Sequence, residues 1–235
     1  MMIPKIIHYC WFGRGAKPKL AKKCIESWKK YCPDYRIIEW NEDNFEVEKY
    51  PYAKYCLEHG KWAFLSDFVR LKVVCEHGGI YFDTDVELTR KIDELLIHEA
   101  FYGFENDNYV NSGLGFGSVA YHKVIVTMLD QYNDLEPNSN GQYKMIGCPI
   151  LNTKAMISLG LVLNGALQKL DGALILPQEY LNPFDDATGI LKKTRNTYSI
   201  HWYSKSALDK ASIIRSRLTR LLHRIFGVDL FRRFR

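Results

Sequence analysis

Residues 78–87 constrain the fold of this chain more than any other segment. Two glycines are followed by three apolar residues and then by the acidic pair Asp83 and Asp85. An apolar run between a glycine turn and charged residues is typical of a buried strand, which we predict over residues 80–88. Alternate side chains of a strand share one face, so the spacing predicts that both carboxylates point into one crevice at the end of the strand.

The segments before this strand alternate between strand and helix patterns. Runs rich in isoleucine and aromatic residues predict strands at residues 3–12 and 35–40. Apolar residues that recur every three or four positions predict helices at residues 18–31 and 62–77. In a chain of 235 residues, this order of elements predicts one large α/β domain with a parallel arrangement of its first strands.

The positive charge of the chain is concentrated at its C-terminal end. The net charge is +5, but residues 205–235 contain nine basic and two acidic residues, so the body of the chain is slightly negative. We therefore predict a domain over residues 1–204 and a basic amphipathic helical tail over residues 205–235. Arginines beside an apolar stripe suit a helix in an anionic membrane surface, and packing on the domain or on a second subunit is the alternative. We exclude nucleic acid, because the stripe would stay exposed.

Two carboxylates in one crevice repel each other unless a cation lies between them. Hard divalent ions such as Mg²⁺ and Mn²⁺ bind carboxylate oxygens and usually also bind phosphate oxygens of a substrate. Asp83 and Asp85 therefore predict a site for a metal ion and a diphosphate leaving group. The structural alternative is a strand end whose acidic residues cap a helix or pair with surface lysines.

The same acidic pair also fits a different enzyme class. Phosphatases of the haloacid dehalogenase type carry the pattern D-x-D-x-[TV], which residues 83–86 match, and Asp185 with Asp186 resembles their second acidic pair. Those enzymes usually begin near this strand, whereas roughly eighty residues precede it here. The phosphatase is therefore the second hypothesis, and a non-enzymatic sugar-binding protein at a membrane is the third.

Three segments, in this order, resemble the family 32 glycosyltransferases of the capsular-polysaccharide type. They are residues 3–13 (IPKIIHYCWFG), 62–70 (WAFLSDFVR) and 78–85 (GGIYFDTD). The resemblance covers nearly all of residues 3–204. It implies a GT-A fold, which is a Rossmann-like mixed sheet flanked by helices. It also implies a UDP- or GDP-linked sugar donor, Mn²⁺ or Mg²⁺ as cofactor, and retention of the anomeric configuration.

The resemblance also implies roles for residues at matching positions. Asp83, Asp85 and the late His201 would hold the metal ion, and the two aspartates with Asn111 would form the catalytic centre. The implied substrate-binding residues are Trp11, Ser66, Asp67, Arg70, Asp83, Ser112, Gly113 and Trp202. Trp202 enters this set because alanine follows Ser206, where the family has a Ser-Trp pair.

Several of these roles have a structural alternative. Trp11 would then be a core aromatic residue, and Asp67 with Arg70, which share one helix face, would form an ion pair on the protein surface. Residues 111–113 would be an ordinary Asn-Ser-Gly turn, and His201 would be a structural histidine.

The remaining sequence features concern location and acceptor. The six cysteines have no metal-ligand spacing, and we predict that they are reduced thiols. We find no signal peptide and no run of about 18 apolar residues. These features predict a cytoplasmic protein, peripheral on the inner face of the membrane, that modifies a glycan or lipid-linked glycan in cell-surface polysaccharide synthesis.

Overall fold

The computed structural model describes residues 2–204, 219–220 and 223–224. The strands are β1 (Ile6–Cys10), β2 (Arg36–Trp40), β3 (Gly79–Tyr81), β4 (Val86–Leu88), β5 (Ala100–Asn106), β6 (Tyr109–Val110), β7 (Phe116–Ser118), β8 (Gln168–Leu170), β9 (Ala173–Leu176), β10 (Phe184–Asp185), β11 (Ile190–Leu191) and β12 (Ser199–His201). The α-helices are α1 (Lys19–Tyr31), α2 (Pro51–Glu58), α3 (Trp62–His77), α4 (Lys123–Asn133), α5 (Cys148–Ser158) and α6 (Gln178–Leu181).

The central sheet is mixed and has the strand order β2-β1-β3-β7-β5-β9-β8, with β6 paired to β5. Strands β2, β1 and β3 run parallel to one another, whereas β7 runs antiparallel to both β3 and β5. Because β1 and β3 are parallel neighbours, the loops that follow them meet at the same edge of the sheet. Trp11 lies in the first of these loops and Asp83 in the second.

Helices cover both faces of the sheet, because each strand directs alternate side chains to opposite faces. Helices α2 to α5 pack on one face, where Tyr81 of β3 lies, and α1 packs on the other, where Ile80 lies. Trp28 of α1 is fully buried, and its indole N–H donates to the carbonyl oxygen of Val86 at 2.8 Å. This bond attaches β4 to α1.

The structure confirms the helix predicted over residues 62–77 and corrects the strand predicted over residues 80–88. That segment is two strands, β3 and β4, separated by a turn in which the N–H of Val86 donates to the carbonyl oxygen of Asp83 at 2.9 Å. The turn takes the chain out of the main sheet, and β4 pairs with β12 instead. The strand-alternation argument for the two aspartates is therefore wrong, since both lie in the turn.

Four residues of the predicted tail are described, and three of them, Arg220, His223 and Arg224, contact the hairpin formed by β10 and β11. Arg220 forms an ion pair with Asp186 and also donates from Nε to the carbonyl oxygen of Asp186 at 2.9 Å. Arg224 donates to the carbonyl oxygen of Gly189 at 3.0 Å. These contacts agree with the alternative of packing on the domain. The rest of the tail lies outside the described residues, and within them no helix is long and apolar enough to span a membrane.

His8 connects β1, β2 and the turn between α3 and β3. The side chain is fully buried, its Nε2 lies 2.9 Å from the carbonyl oxygen of Gly78, and the indole N–H of Trp40 donates to its Nδ1 at 3.0 Å. An indole N–H can only donate, so Nδ1 is the acceptor and Nε2 carries the hydrogen. His8 is therefore neutral, and burial lowers its pKa to about 4.

We expect the contribution of His8 to the stability of the protein to fall as the pH falls from about 6.5 towards 4. In the unfolded chain His8 has its ordinary pKa near 6.5 and takes up a proton in this range, whereas folded His8 stays neutral, so this group favours unfolding at low pH. The contribution should fall by about 3 kcal/mol, measured by urea unfolding of wild type and His8→Gln at several pH values. His8→Gln should be less stable than wild type at pH 7, and the difference between the two proteins should shrink as the pH falls. A difference that does not change with pH would contradict this account.

Candidate active site

A cavity of about 500 Å³ opens at the edge of the sheet where β1 and β3 end. Its walls come from the loop after β1, the first turns of α3, the turn between β3 and β4, and the segment after β12. The cavity brings together six of the residues predicted from the sequence: Trp11, Ser66, Arg70, Asp83, Asp85 and His201.

Asp83, Asp85 and His201 form a cluster that can hold a metal ion. One ligand atom from each residue lies within 4.8 Å of the ligand atoms of the other two, and no other such group was found among the described residues. The turn after β3 supplies both carboxylates. β12 supplies the imidazole, because His201 pairs with Val86, the residue that follows Asp85. The β4–β12 ladder therefore joins parts of the site that are more than a hundred residues apart in the chain.

Asp85 is held by two groups from the segment around β12. Nε2 of His201 lies 3.2 Å from Oδ1 of Asp85, and the backbone N–H of Ser204 donates to Oδ2 at 2.7 Å. Burial raises the pKa of Asp85, but these two partners outweigh it and hold the pKa below its usual range. Burial lowers the pKa of His201, and the Asp85 carboxylate outweighs that effect and raises it.

Asp83 is held from the opposite side by a buried arginine. Arg70 is 4% exposed, and its Nη2 lies 2.9 Å from Oδ1 of Asp83 and 3.0 Å from Oδ1 of Asp67. The hydroxyl of Tyr81 also donates to Oδ1 of Asp83 at 2.9 Å. Burial raises the pKa of Asp83 to about 6, even though the Arg70 charge acts to lower it. Arg70, which lines the cavity, is thus shared between two carboxylates, and only Asp83 of the two lines the cavity as well.

The donor atoms of the cluster fit a divalent cation. Two carboxylate oxygens and one imidazole nitrogen suit Mn²⁺, and Mg²⁺ accepts imidazole less readily. Nδ1 of His201 is buried, and no described residue forms a hydrogen bond with it. The imidazole therefore has unused binding capacity, and a cation between Asp83 and Asp85 would also reduce the repulsion between their charges.

The predicted loop at residues 111–113 lies behind the cavity wall and does not line it. Asn111 is buried, and its Oδ1 accepts the N–H of Gly113 at 2.7 Å, while the N–H of Ser112 donates to Oδ1 of Asn152 at 3.1 Å. Gly113 packs directly on the site, because a Cβ atom there would lie 2.7 Å from Oδ2 of Asp83. This loop supports the aspartate from behind.

Asp67 likewise lies behind the wall. Its Oδ1 contacts Arg70, and its Oδ2 accepts the backbone N–H of Cys148 at 3.3 Å. Burial raises the pKa of the carboxyl group, although the Arg70 charge acts to lower it. Asp67 and Arg70 are therefore a buried pair that joins α3 to α5, and the alternative of an ion pair on the protein surface is wrong.

The structure corrects the predicted contact of Trp202 with the donor sugar. Successive residues of an extended chain point to opposite sides, so Trp202 turns away from the cavity that His201 faces. Its indole N–H donates to Oε2 of Glu87 at 2.9 Å, and its ring packs on Phe184 with 5.4 Å between centroids. Trp202 lines a separate groove beside α1.

Tyr203 and Ser204 belong to the site, and the sequence analysis did not identify them. Tyr203 has a φ of +48°, an uncommon and costly conformation for a residue with a side chain. Its ring lies 4.1 Å from the His201 ring between centroids, and its hydroxyl donates to Oε1 of Glu105 at 3.0 Å. This backbone turn directs the N–H of Ser204 towards Asp85. A glycine or asparagine at position 203 would have predicted this left-handed backbone turn from the sequence, whereas a tyrosine does not.

Comparison with known proteins agrees with this fold. Residues 18–102 match the family described as glycosyltransferase sugar-binding region containing DXD motif. A mannosyl phosphorylinositol ceramide synthase of Saccharomyces cerevisiae is 30% identical over 132 residues, which are 54% of this chain and 34% of that protein. Inositol phosphoceramide mannosyltransferase 3 of Schizosaccharomyces pombe is 31% identical over 108 residues, 42% of this chain and 29% of that protein.

Two further similarities extend the comparison. An uncharacterized glycosyltransferase of Acanthamoeba polyphaga mimivirus is 31% identical over 129 residues, 48% of this chain and 50% of that protein. The solved structure of the PaToxG glycosyltransferase superposes with a TM-score of 0.51 and 19% identity, over 67% of this chain and 70% of that chain. At this identity the superposition shows the fold alone. The chain spans about a third of the length of the two yeast relatives and half of the viral one.

The fold is that of GT-A glycosyltransferases. Residues 18–102, with α3 and the two aspartates, match the DXD-containing sugar-binding region, which confirms the resemblance to family 32 glycosyltransferases that the sequence showed. The predicted mixed sheet flanked by helices is confirmed as well.

The variant Gly113→Ala should weaken metal binding while leaving the fold intact. The added Cβ would lie 2.7 Å from Oδ2 of Asp83 and 3.1 Å from Nη1 of Arg70, so the carboxylate must move. Overpacking of this kind costs about 1–3 kcal/mol, and we expect roughly tenfold weaker Mn²⁺ binding by isothermal titration calorimetry. Gly147→Ala is the matched control, because its Cβ would meet only Pro149 at 3.6 Å. Unchanged Mn²⁺ affinity in Gly113→Ala would refute the supporting role.

Proposed function

We propose that this chain is a metal-dependent retaining glycosyltransferase that transfers a hexose from a UDP- or GDP-linked donor. The observation that carries the proposal is the cluster of Asp83, Asp85 and His201 inside a cavity of about 500 Å³. A cavity of this volume is within the range of sites that enclose small ligands. The position of the cluster at the carboxyl edge of the sheet is also where α/β proteins bind nucleotides.

The relatives support a choice of sugar and acceptor. Their names describe mannosyl transfer to inositol phosphoceramide lipids, which supports mannose as the sugar and a lipid-linked molecule as the acceptor for this chain. A soluble glycan of a cell-surface polysaccharide is the other acceptor class that we propose. Retention of the anomeric configuration rests on the resemblance to family 32.

The contacts of each site residue support a separate role for it in the proposed reaction. Asp83, Asp85 and His201 would hold the metal ion, Mn²⁺ in our proposal, which when bound stabilises the negative charge of the leaving diphosphate. Arg70 fixes the orientation of Asp83, and the N–H of Ser204 fixes Asp85, so both carboxylates are oriented before the donor binds. The remaining donor oxygens would meet the Ser66 hydroxyl and the residues of the loop after β1.

The structure does not place the second acidic pair, which the phosphatase hypothesis requires, in the cavity. Asp185 and Asp186 lie on the β10–β11 hairpin and do not line the cavity. Asp186 pairs with Arg220, and Oδ1 of Asp185 accepts the N–H of Ala187 at 2.8 Å. Neither carboxylate lines the cavity that contains Asp83, and this arrangement favours the glycosyltransferase.

The metal-dependent step is tested by nucleotide binding. We expect wild-type protein to bind UDP or GDP in the presence of Mn²⁺ and to lose at least tenfold in affinity when the metal is chelated. Asp85→Asn should lose the same affinity, because it removes a ligand charge, whereas Asp186→Asn, a carboxylate outside the cavity, should not. Equal binding with and without metal would refute the proposal. A subsequent screen of UDP- and GDP-sugars for hydrolysis identifies the donor.

Membrane contact through residues 205–235, and with it a cytoplasmic location, is also a proposal. Its support is the concentration of basic residues in this segment. We expect the full-length protein to sediment with liposomes containing phosphatidylserine at low salt, and less at high salt, because screening weakens attraction between surface charges. Absence of sedimentation at low salt would refute the contact and leave the catalytic proposal unaffected.

A further inference from the structure

A second groove, of about 460 Å³, lies beside α1 and shares no lining residue with the cavity that contains Asp83. Helix α1 forms one wall of this groove, and β4, β12 and the loop after β11 form the other. Its volume is within the range of sites that enclose small ligands. None of the roles assigned above to the metal cluster or the donor uses it.

The ladder of β4 and β12 separates the groove from the cavity. His201 lines the cavity, whereas its neighbours Ile200 and Trp202 line the groove. Successive residues of an extended chain point to opposite sides, so the two sites lie on the two faces of the same ladder. A ligand in the groove would therefore lie across the ladder from the metal cluster, and it would not be the nucleotide-sugar donor.

The two glutamates of the groove are both neutralised by lysines. Glu87 forms an ion pair with Lys23, which also lines the groove, at 2.7 Å. Glu26 forms an ion pair at 2.7 Å with Lys29, which lies outside the groove. The groove therefore offers no free carboxylate to a ligand.

Two other lysines of the groove, Lys30 and Lys193, remain uncompensated. Both are exposed, and neither has a carboxylate partner in the part of the chain that the structure describes. An ammonium group can only donate hydrogen bonds, so both groups need an acceptor. Two free cations in a groove without a free carboxylate favour an anionic ligand and disfavour a cation.

Most of the uncharged polar groups of the groove are engaged by the protein itself. The Ser27 hydroxyl donates to the Cys24 carbonyl oxygen at 2.6 Å, and the Thr89 hydroxyl donates to the Thr197 carbonyl oxygen at 3.1 Å. Tyr31 is the exception: it is half-buried, and its hydroxyl has no hydrogen-bond partner among the described residues. Its ring and its hydroxyl therefore remain for a ligand, beside the two ammonium groups.

We propose that the groove beside α1 binds an anionic sugar, with Lys30 and Lys193 donating to its phosphate or carboxylate group and Tyr31 contacting its ring. Hydrogen bonds between charged donors and such oxygens are stronger than those between neutral groups. A tyrosine has an apolar ring for the C–H groups of a sugar and a hydroxyl for its polar groups. The inference goes beyond the proposed function and does not rest on it, because this binding needs neither the metal ion nor a nucleotide.

The class of ligand is tested by calorimetry on the wild-type protein without added metal. The anionic probes are myo-inositol 1-phosphate, which represents a lipid headgroup, and glucuronic acid, which represents an acidic glycan. At least one of them should bind roughly tenfold more tightly than its neutral counterpart, myo-inositol or glucose, and than its bare anion, phosphate or acetate. The tighter of the two probes identifies the source of the anionic sugar.

The position of the site is tested with two matched double variants. Lys30→Gln with Lys193→Gln removes both uncompensated ammonium groups and should weaken binding of the anionic probe roughly tenfold. Lys22→Gln with Lys192→Gln is the control, because it removes the same charge from exposed lysines of the same helix and loop that do not line the groove. The control should bind the probe as wild type does. Both double variants should keep the melting temperature and the Mn²⁺–nucleotide affinity of wild type.

The possible outcomes separate this inference from the proposed function. If the anionic sugars bind no more tightly than the neutral sugars or the bare anions, the inference is overturned. Equal probe affinities of the two double variants would also overturn it. Loss of probe binding in Asp85→Asn would do the same, because the sugar would then lie in the cavity. If wild type binds neither UDP nor GDP with Mn²⁺ but binds an anionic probe as expected, only the proposed function fails.

Discussion

The buried guanidinium of Arg70 is the interaction on which the site depends. It connects α3 to the turn after β3 through Asp83, and through Asp67 it reaches the start of α5. Removing one partner of a buried ion pair costs about 3–5 kcal/mol, since the remaining charge stays buried without compensation. The buried Arg70 therefore requires both carboxylates as partners. Its contact with Asp83 fixes one side of the site formed by Asp83, Asp85 and His201.

The other side of the cluster depends on a short ladder outside the main sheet. Strand β4 leaves the sheet because the turn after β3 redirects the chain, and its pairing with β12 brings His201 beside Asp85. The left-handed backbone at Tyr203 then directs the N–H of Ser204 to the same carboxylate. Backbone strain at this position is compensated by the hydroxyl contacts of Tyr203 with Glu105 and Asn182.

The two sides differ in the charge that they present to a ligand. Arg70 is shared between Asp83 and Asp67, so this group keeps a net negative charge when both acids are ionised. Asp85 contacts the imidazole of His201 and the backbone N–H of Ser204, and the imidazole is the neighbour that a cation would share with it. A divalent ion bound there would compensate the excess negative charge and attract a diphosphate. Away from this polar end, the cavity is bordered by the rings of Trp11 and Trp62.

The sequence by itself determined the helix α3 and predicted the candidate metal site. The apolar period of residues 62–77 predicted α3, and the residue types at positions 83 and 85 predicted the carboxylates of the candidate metal site, because local pattern and residue type suffice for both. Tertiary structure decided which side chains reach the cavity. Strand pairing between distant segments, together with local backbone conformation, decides three features of the site. Residues 111–113 lie behind Asp83, Trp202 points away from the cavity, and Tyr203 points into it. A single sequence does not encode these contacts locally, so only the folded chain reveals them.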